Sequence, residues 1–476
     1  MSADLSLCYL TATEALARFR ARTLSPLDLV GALIARAEAV EPKLNAFTDS
    51  FPERALEQAR AAEARYAGKG PKPRPLEGLP IGLKDGHDVA GEITTYGSRL
   101  YADHRPETSE LHIDRILRAG AILLARTTTP EFGAATICHS DLWGITRNPW
   151  DRTLSPAGSG GGAGAALAAG MITLADGSDF GGSIRNPASA CGVVGFKPPF
   201  GRVPKQAPWN FNTWSSFGSL ARSVADVALL QNVIAGQHPA DLTSLPGKKR
   251  ILADLALIDG WRIAVSPDLG FFEIDPGVAA NLRAAQEVFA DMGCAVEAVD
   301  TGWTDRVFEA ALSYYQAYDL TDPDDRTPER QALLTDYVRR DADYFAGKTI
   351  MPLAEAATYR GKMYDALAAI FRRCRVLVCP TLALPAVPAD LHPIDGEVQI
   401  NGKRVDPALG WVLCYPFNML GQLPVISIPS GFAANGVPTG IQIIGRPFDD
   451  MSVFRAAAAF ERARPWLHQA AARPAL

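Results

Sequence analysis

The chain of 476 residues has no strong excess of charge of either sign and no long run of basic residues. Its 47 Lys and Arg against 52 Asp and Glu leave a formal net charge of −5. Proteins whose main partner is nucleic acid usually carry a concentrated positive surface. We therefore expect no nucleic-acid partner.

Cysteine is scarce. The seven cysteines are odd in number, scattered, and free of any C-x-x-C pair, so neither a disulfide framework nor a zinc ribbon is expected. Reduced thiols in the core are the simpler expectation. The N-terminal stretch MSADLSLCYLTATEALARFR also lacks the basic start and long apolar run of a signal peptide, which predicts a cytoplasmic protein.

Large apolar side chains are few in the uncharged stretch 153–175, which is long enough to span a bilayer. Gly, Ala and Ser dominate it, and these residues drive insertion only weakly. We expect a buried helix and strand here, and no membrane partner.

What the sequence does contain is an alternation of helical patterns with short apolar strands. SPLDLVGALIARAEAVEP predicts an early helix with Ser25 as its N-cap and Pro26 at its first position. Strand-like segments follow other helical patterns: AILLA, MITLA, CAVEAV, VLVCP, VISIP and IQIIG. This alternation predicts a single large α/β domain with a central sheet covered by helices on both faces. Within residues 1–476 we expect N-terminal helices (1–67), the core that carries the motifs (68–235), a helical cap or insertion (about 240–360) and the C-terminal part of the core (361–476).

The stretch SPAGSGGGAGAALAAGMITLADGSDFGGSIRNP, residues 155–187, holds nine glycines and four serines. Gly158, Gly160 and Ala163 fit the dinucleotide fingerprint G-x-G-x-x-A, and Asp176 or Asp179 lies roughly where a ribose-binding acid would. That fingerprint must follow a strand, however, and the preceding TRNPWDRTLSP is polar and contains two prolines. We expect no nucleotide cofactor.

The serines can also be read as chemical groups, with the glycines clearing space around them. No serine lies in G-x-S-x-G and no histidine in H-E-x-x-H, which disfavours a Ser-His-Asp hydrolase and a zinc hydrolase. Lysine is another base that activates serine. Lys84 follows an apolar stretch in LEGLPIGLKDGHDVAG, where partial burial would lower its pKa. We expect neither a metal nor an organic cofactor.

Several motifs, in order, resemble those of the amidase signature family over most of the chain. GLPIGLKD resembles the lysine motif, GAILLARTTTPEFG and RNPWD the segments after it, and SPAGSGGGAGAALAAG the Gly/Ser signature. GSDFGGSIRNPASACGVVGFKPPFGRVP resembles the nucleophile motif and LPVISIPSGF with GVPTGIQIIG the C-terminal strands. The resemblance implies the family's α/β fold with a central mixed sheet and helices on both faces.

The resemblance also implies residue roles, motif by motif. Lys84 would be the base, Ser159 a bridging serine that follows a cis peptide bond, and Ser183 the nucleophile. The backbone N–H groups of Phe180, Gly181, Gly182 and Ser183 would form the oxyanion hole, and Asp179 and Arg185 would hold the lysine and the loop unless they are an ordinary ion pair. The family usually has two adjacent serines where this chain has Ser159 and Gly160, which puts a secondary hydrogen bond in doubt.

The substrate is less defined than the chemistry. By analogy with family loops that flank the nucleophile, Trp209, Phe211, Trp214 and Tyr415 are expected to form an aromatic cleft, unless they belong to the core. An aryl or alkyl amide cleaved with water is our first expectation, and a carbamate (urethane) or ester the alternative. The family also includes the amidase subunit of glutamyl-tRNA amidotransferase, which acts on glutamine in an assembly; the aromatic loop argues against that role. A monomer or homodimer is expected.

Overall fold

The strands of this chain join into one large mixed sheet. The computed structural model describes residues 4–252, 255, 257–317, 327–466 and 473–476. The strands are β1 Phe47–Ser50, β2 Pro80–Lys84, β3 Ile122–Thr127, β4 His139–Ser140, β5 Gly144–Ile145, β6 Leu174–Asp179, β7 Val194–Lys197, β8 Ser216–Ala221, β9 Arg262–Val265, β10 Ala295–Ala298, β11 Val376–Pro380, β12 Val398–Ile400, β13 Lys403–Val405, β14 Val425–Phe432 and β15 Pro438–Gly445. Eleven of them form the central sheet in the order β1-β3-β2-β6-β8-β7-β14-β15-β11-β9-β10. The pairs β4–β5 and β12–β13 stand apart as small antiparallel sheets.

Parallel and antiparallel pairs occur in separate blocks across the sheet, and the edge strand β1 pairs antiparallel with β3. β2 pairs in parallel with both β3 and β6, and β9 with both β10 and β11. The strands from β6 through β8, β7, β14 and β15 to β11 are antiparallel. Because β2 and β6 run side by side in the same direction, their carboxyl ends lie at the same edge of the sheet. That edge carries the motifs singled out above.

Helices cover the sheet. They are α1 Leu5–Cys8, α2 Ala12–Ala21, α3 Pro26–Leu44, α4 Pro52–Tyr66, α5 Leu111–Arg118, α6 Gly161–Ala168, α7 Arg185–Cys191, α8 Val224–Ile234, α9 Pro276–Asp291, α10 Arg306–Ala317, α11 Pro328–Gln331, α12 Asp336–Arg339, α13 Asp341–Phe345, α14 Leu353–Phe371, α15 Tyr415–Met419 and α16 Asp450–Ala463. Three short 3₁₀ turns lie at Arg99–Tyr101, Glu131–Gly133 and Trp209–Phe211. The predicted single α/β domain is confirmed.

The core lies on both faces of the sheet, as strand geometry requires. In β11, Val376 and Val378 belong to one buried cluster, whereas Leu377 and Cys379 belong to another. Successive side chains of a strand point to opposite faces, so the continuous apolar run VLVCP fits a strand buried on both sides.

The early helix begins as predicted, because the Ser25 side chain accepts a hydrogen bond from the backbone N–H of Leu27 and Pro26 occupies the first turn. One strand differs from its prediction: β6 begins at Leu174, so most of MITLA precedes it. The cap interpretation of residues 240–360 does not hold for 262–298, because β9 and β10 pair within the central sheet. Helices α10, α12 and α13 are the part of that segment that reaches the cavity described below.

All seven cysteines are buried and unpaired, in agreement with the expectation of reduced thiols. Among the described residues, no helix is both long enough and apolar enough to cross a membrane. The uncharged stretch 153–175 forms instead the buried helix α6 and the start of β6.

Candidate active site

Lys84 and Ser159 meet at the carboxyl edge of β2 and β6. Lys84 is the last residue of β2, and its Nζ donates to Ser159 Oγ at 2.7 Å and to Ser178 Oγ at 3.1 Å. Ser159 lies in the glycine-rich loop that leads into α6, after a cis peptide bond between Gly158 and Ser159. Lys84 is 2% exposed and Ser159 is 2% exposed. The structure thus brings together the lysine and the first serine from motifs 75 residues apart.

Burial is the main influence on the lysine's protonation. It disfavours the ammonium form and lowers the pKa of Lys84 to about 8, although the Asp176 carboxylate acts in the opposite direction. A large fraction of Lys84 is therefore neutral in mildly alkaline water, which a lysine that acts as a base requires.

Ser183 lies between β6 and α7, in the wall of a cavity open to solvent. Its carbonyl oxygen accepts the N–H of Gly160 at 3.1 Å, which links the loop 180–184 of the predicted nucleophile (hereafter the nucleophile loop) directly to the loop that carries Ser159. Among the described residues no hydrogen bond joins the Ser159 and Ser183 hydroxyls. Hydrogen bonds of this kind often tighten only when substrate is bound.

A buried ion pair holds the nucleophile loop. Asp179 accepts from the Arg185 guanidinium at 2.9 and 3.0 Å and from the backbone N–H of Gly182 at 2.9 Å. Burial would raise the pKa of Asp179, but Arg185 and the hydrogen bonds hold it below its usual range. Asp179 and Arg185 thus lie where they can fix the loop, whereas the lysine contacts Asp176 and Ser178 instead.

Sequence reasoning missed two further members of this network. Asn418 in α15 donates to Asp179 and accepts from Arg185, and Gln442 in β15 accepts from Arg185 at 2.8 Å. Both are more than 230 residues away from their partners along the chain. Nothing local in the sequence marks them, because only the antiparallel order of the central sheet brings them near.

The predicted oxyanion hole needs one correction. The N–H of Gly182 already donates to Asp179, and its φ of +118° is a conformation that favours glycine. The N–H groups of Gly181 and Ser183 have no hydrogen-bond acceptor among the described residues, and both residues line the cavity. They are the donors best placed to receive a developing oxyanion.

The cavity beside Ser183 has a largely apolar wall and a volume of about 180 Å³. Its aromatic side chains come from the turn after β3, from the nucleophile loop and from helices α10, α12 and α13: Phe132, Phe180, Tyr315, Tyr337, Tyr344 and Phe345. Asp341 lies in its wall as well. Such a cavity suits a hydrophobic substrate.

The aromatic cleft predicted from the sequence is wrong in its residues. Trp214 is 0% exposed and stacks on Tyr314, and Tyr415 is 1% exposed and packs on Phe272. Phe211 is 61% exposed on the surface, and Trp209 belongs to the same short turn. None of the four is among the residues that line the cavity beside Ser183. The sequence signal that does mark the cavity is the aromatic content of SYY (313–315) and DYVRRDADYF (336–345).

Only one group of side chains among the described residues has the composition of a metal site: His87, His112 and Asp176. His87 Nδ1 and His112 Nε2 both contact Asp176 Oδ2 directly, the latter at 3.2 Å. Contacts of this kind are hydrogen bonds from two imidazoles to one carboxylate oxygen. The group is therefore a buried hydrogen-bonded cluster, and it adjoins Lys84 through Asp176.

Known proteins resemble this chain over almost its whole length. The family profile described as Amidase matches residues 28–454. An acylamidase of Rhodococcus erythropolis is 34% identical over 97% of this chain and 97% of its own length. A glutamyl-tRNA(Gln) amidotransferase subunit from Chloroflexus aggregans is 33% identical over 96% of this chain and 97% of its own length. The crystal structure of a bacterial aryl acylamidase of the amidase signature family matches with a TM-score of 0.85 at 30% identity, over 96% of this chain and 97% of that one.

Proposed function

The chain belongs to the amidase signature family of hydrolases, and on that premise we propose that it cleaves the C–N bond of a hydrophobic aryl or alkyl amide through an acyl-enzyme on Ser183. The observation that carries the proposal is the position of Ser183 in the wall of an aromatic cavity. The buried Lys84–Ser159 pair adjoins the nucleophile loop through the bond from Gly160 to the Ser183 carbonyl.

The proposed reaction begins with proton transfer. Neutral Lys84 accepts a proton from Ser159, which accepts one from Ser183, and Ser183 Oγ attacks the substrate carbonyl. The N–H groups of Gly181 and Ser183 stabilise the resulting oxyanion. The proton then passes back to the amide nitrogen, the C–N bond breaks and the amine leaves. Water attacks the acyl-enzyme by the same path, which releases the carboxylic acid and restores Ser183.

The wall of the cavity supports the substrate class. Phe132, Phe180 and Tyr315 line the cavity together with Ser183, and helices α12 and α13 contribute further aromatic side chains. Burial of each methylene of a substrate contributes about 0.8 kcal/mol, which corresponds to about a fourfold change in kcat/KM. Affinity should therefore come mainly from apolar contact.

A panel of matched substrates tests the proposal. With the purified chain, kcat/KM for 4-nitroanilides should rise as the acyl group grows from acetyl to butyryl to hexanoyl, until the cavity is full. Phenyl carbamates and phenyl esters of the same size measure the alternative acyl transfers. Ammonia release from glutamine without cleavage of any anilide would overturn the proposal and favour the amidotransferase alternative.

Covalent labelling tests the nucleophile independently of the natural substrate. A fluorophosphonate probe should label the wild type on Ser183 and leave Ser183→Ala unlabelled. The substitution removes one hydroxyl from a half-buried position, so the thermal unfolding temperature should change little. Labelling that persists in Ser183→Ala would assign the nucleophile to another residue.

A further inference from the structure

Asp176 joins Lys84 to a pair of buried histidines that the proposed reaction does not use. Asp176 Oδ1 accepts the backbone N–H of Lys84 at 2.8 Å, while Asp176 Oδ2 accepts from His87 and His112. His87 is 2% exposed, and His112 and Asp176 are 0% exposed. Both histidine rings also pack on Phe217, with ring centroids 4.8 and 4.2 Å away. The cluster is thus fixed by packing as well as by hydrogen bonds.

The hydrogen bonds define the charge of the cluster. The outer nitrogens, His87 Nε2 and His112 Nδ1, are buried and have no partner among the described residues. A second proton on either ring would be a buried N–H without an acceptor, which is costly. Burial accordingly lowers the pKa of His87 to about 4. Burial would raise the pKa of Asp176, but the two histidines hold it far below its usual range. A neutral His87 imidazole therefore lies beside a carboxylate that stays ionised.

We propose that Asp176, held as an anion by His87 and His112, is a positioning residue for Lys84: it fixes the backbone of the lysine, and its charge raises the pH at which the amine becomes a base. The proposal rests on the proposed function, in which Lys84 is that base. It assigns the histidines a role in holding the carboxylate and not in proton transfer with substrate.

The other charged or titratable groups around these two side chains are few. Asp179 and Cys138 act on Lys84 together with Asp176, and both favour the charged amine when they are ionised. Arg126 in β3 and Glu110 before α5 lie within electrostatic range of Asp176. Burial raises the pKa of Glu110 to about 7, so Glu110 is the neighbour whose own titration must be separated from that of Lys84.

The sign of the effect follows from opposing influences. Burial favours neutral Lys84, and the Asp176 carboxylate favours the ammonium form. Without that carboxylate the amine would lose its proton at a lower pH and would be a weaker base. Asp176→Asn is the suitable substitution, because its amide oxygen can still accept the Lys84 N–H while the charge is removed.

The pH dependence of kcat/KM is the main test. In Asp176→Asn the rising limb should move to lower pH by about one unit, because the carboxylate that favours the ammonium form is removed, and the plateau should fall. Glu110→Gln should leave the limb in place; if it moves the limb as Asp176→Asn does, the proposal is wrong.

Asp226→Asn is the matched control for stability, because Asp226 is a buried carboxylate in α8 that accepts the N–H groups of Ala12 and Thr13. An Asp176→Asn variant that is less stable, like Asp226→Asn, but keeps the wild-type limb would show a merely structural role and overturn the proposal.

A spectroscopic measurement on the wild type covers the case in which Asp176→Asn does not fold. Nitrogen shifts of labelled histidine should report His87 as a single neutral tautomer from pH 6 to 9. A doubly protonated His87 ring at pH 7 would cancel the charge of the carboxylate and contradict the proposal. Lys84→Ala distinguishes a failure of the proposed function from a failure of the role proposed for the cluster. Full activity in Lys84→Ala refutes the proposed function. An inactive Lys84→Ala together with an unmoved limb in Asp176→Asn refutes only the role of the cluster.

Discussion

Lys84 combines complete burial with a hydrogen bond to a serine hydroxyl, so its protonation should appear directly in the rate. Burial lowers its pKa to about 8, and only the neutral amine accepts a proton. We therefore expect kcat/KM to rise about tenfold per pH unit below that value and to level off above it. Lys84→Ala should lose the limb and about 10²–10⁴-fold in rate. Lys84→Arg should not recover activity, because arginine stays protonated. A limb near pH 6.5 that survives in Lys84→Ala would indicate a histidine instead.

Gly160 lies where the family resemblance implies a serine, and the geometry accounts for its small size here. A Cβ at this position would lie 2.7 Å from the Ser183 carbonyl oxygen. Gly160→Ala and Gly160→Ser should therefore displace the nucleophile loop and lower kcat by about tenfold or more, since misplacement by about 1 Å can cost about 10²-fold. Gly31→Ala is the matched control, because a Cβ at Gly31 in α3 would meet nothing within 4 Å. Equal activity in Gly160→Ser and wild type would show that the loop adapts without cost.

At the scale of single residues, the sequence predicted the site residues that lie within short motifs. Lys84, Ser159 and Ser183 each lie in a recognisable segment, and the structure brings the first two into contact. The sequence did not predict the Asp176 cluster, because His87, His112 and Asp176 come from three separate segments and no single one of them indicates a site. In isolation, Asp176 fits a ribose-binding acid equally well. Partners that meet only through strand pairing leave no local signal.

At the scale of elements, the short helix α12 is hydrogen-bonded to the turn Glu131–Gly133, which lies beside Ser159. The Tyr337 hydroxyl donates to the carbonyl of His139 at 2.7 Å and accepts the N–H of Glu131 at 2.9 Å. Glu131 in turn accepts the N–H of Thr335 at 2.6 Å. Since Tyr337 also lines the cavity, these bonds hold one wall of the substrate space against the catalytic body.

Tyr337→Phe should loosen that wall while keeping its apolar surface. The loss of the hydroxyl leaves two buried backbone groups without a partner, at a cost of about 1–3 kcal/mol each. We expect KM for a hydrophobic anilide to rise severalfold and kcat to change less, because the bond between Lys84 and Ser159 is untouched. Tyr364→Phe in α14 is the control, since its hydroxyl has no hydrogen-bond partner among the described residues. A fall in kcat alone, with KM unchanged, would contradict this role for Tyr337.

Element prediction succeeded where the pattern was local. The cap and proline of α3 and the apolar run of β11 lie as expected. The aromatic cleft failed because aromatic residues are equally at home in a core, where Trp214 and Tyr415 lie. Their burial depends on which helices cover them, and no short segment of the sequence contains that information.

At the scale of the whole molecule, one sheet supports two buried clusters. The alternation of helices and strands predicted an α/β fold, but the strand order could not be read from it. β7 pairs with β14, which is more than 200 residues away, and β9 and β10 extend the sheet beyond β11. Pairings between strands so far apart along the sequence depend on the complete tertiary structure. For that reason the sequence pattern of 262–298 suggests a cap, although the segment joins the sheet.

The cysteines lie on both faces of that sheet, so their reactivity can test whether the two faces open together. Cys191 and Cys294 belong to one cluster, and Cys374, Cys379 and Cys414 belong to the other. Burial raises the pKa of Cys414 to about 12 and that of Cys8 to about 11, so reactive thiolate should form only when the structure opens.

We expect a thiol reagent, without added reductant, to react slowly with the native protein. In guanidinium chloride, which unfolds the chain, the reagent should react with all seven thiols. Cys8 should react first, because its helix α1 is a single turn of four residues that can open locally at low cost, and Cys8→Ala should remove that phase. The thiols of the two clusters should then react at one common rate, because both faces lose their support when the shared sheet opens. Two well-separated rates, assigned by mass spectrometry to the two clusters, would show that the face with α10 and α14 opens on its own. Fewer than seven thiols in guanidinium chloride would contradict the reduced state of the cysteines.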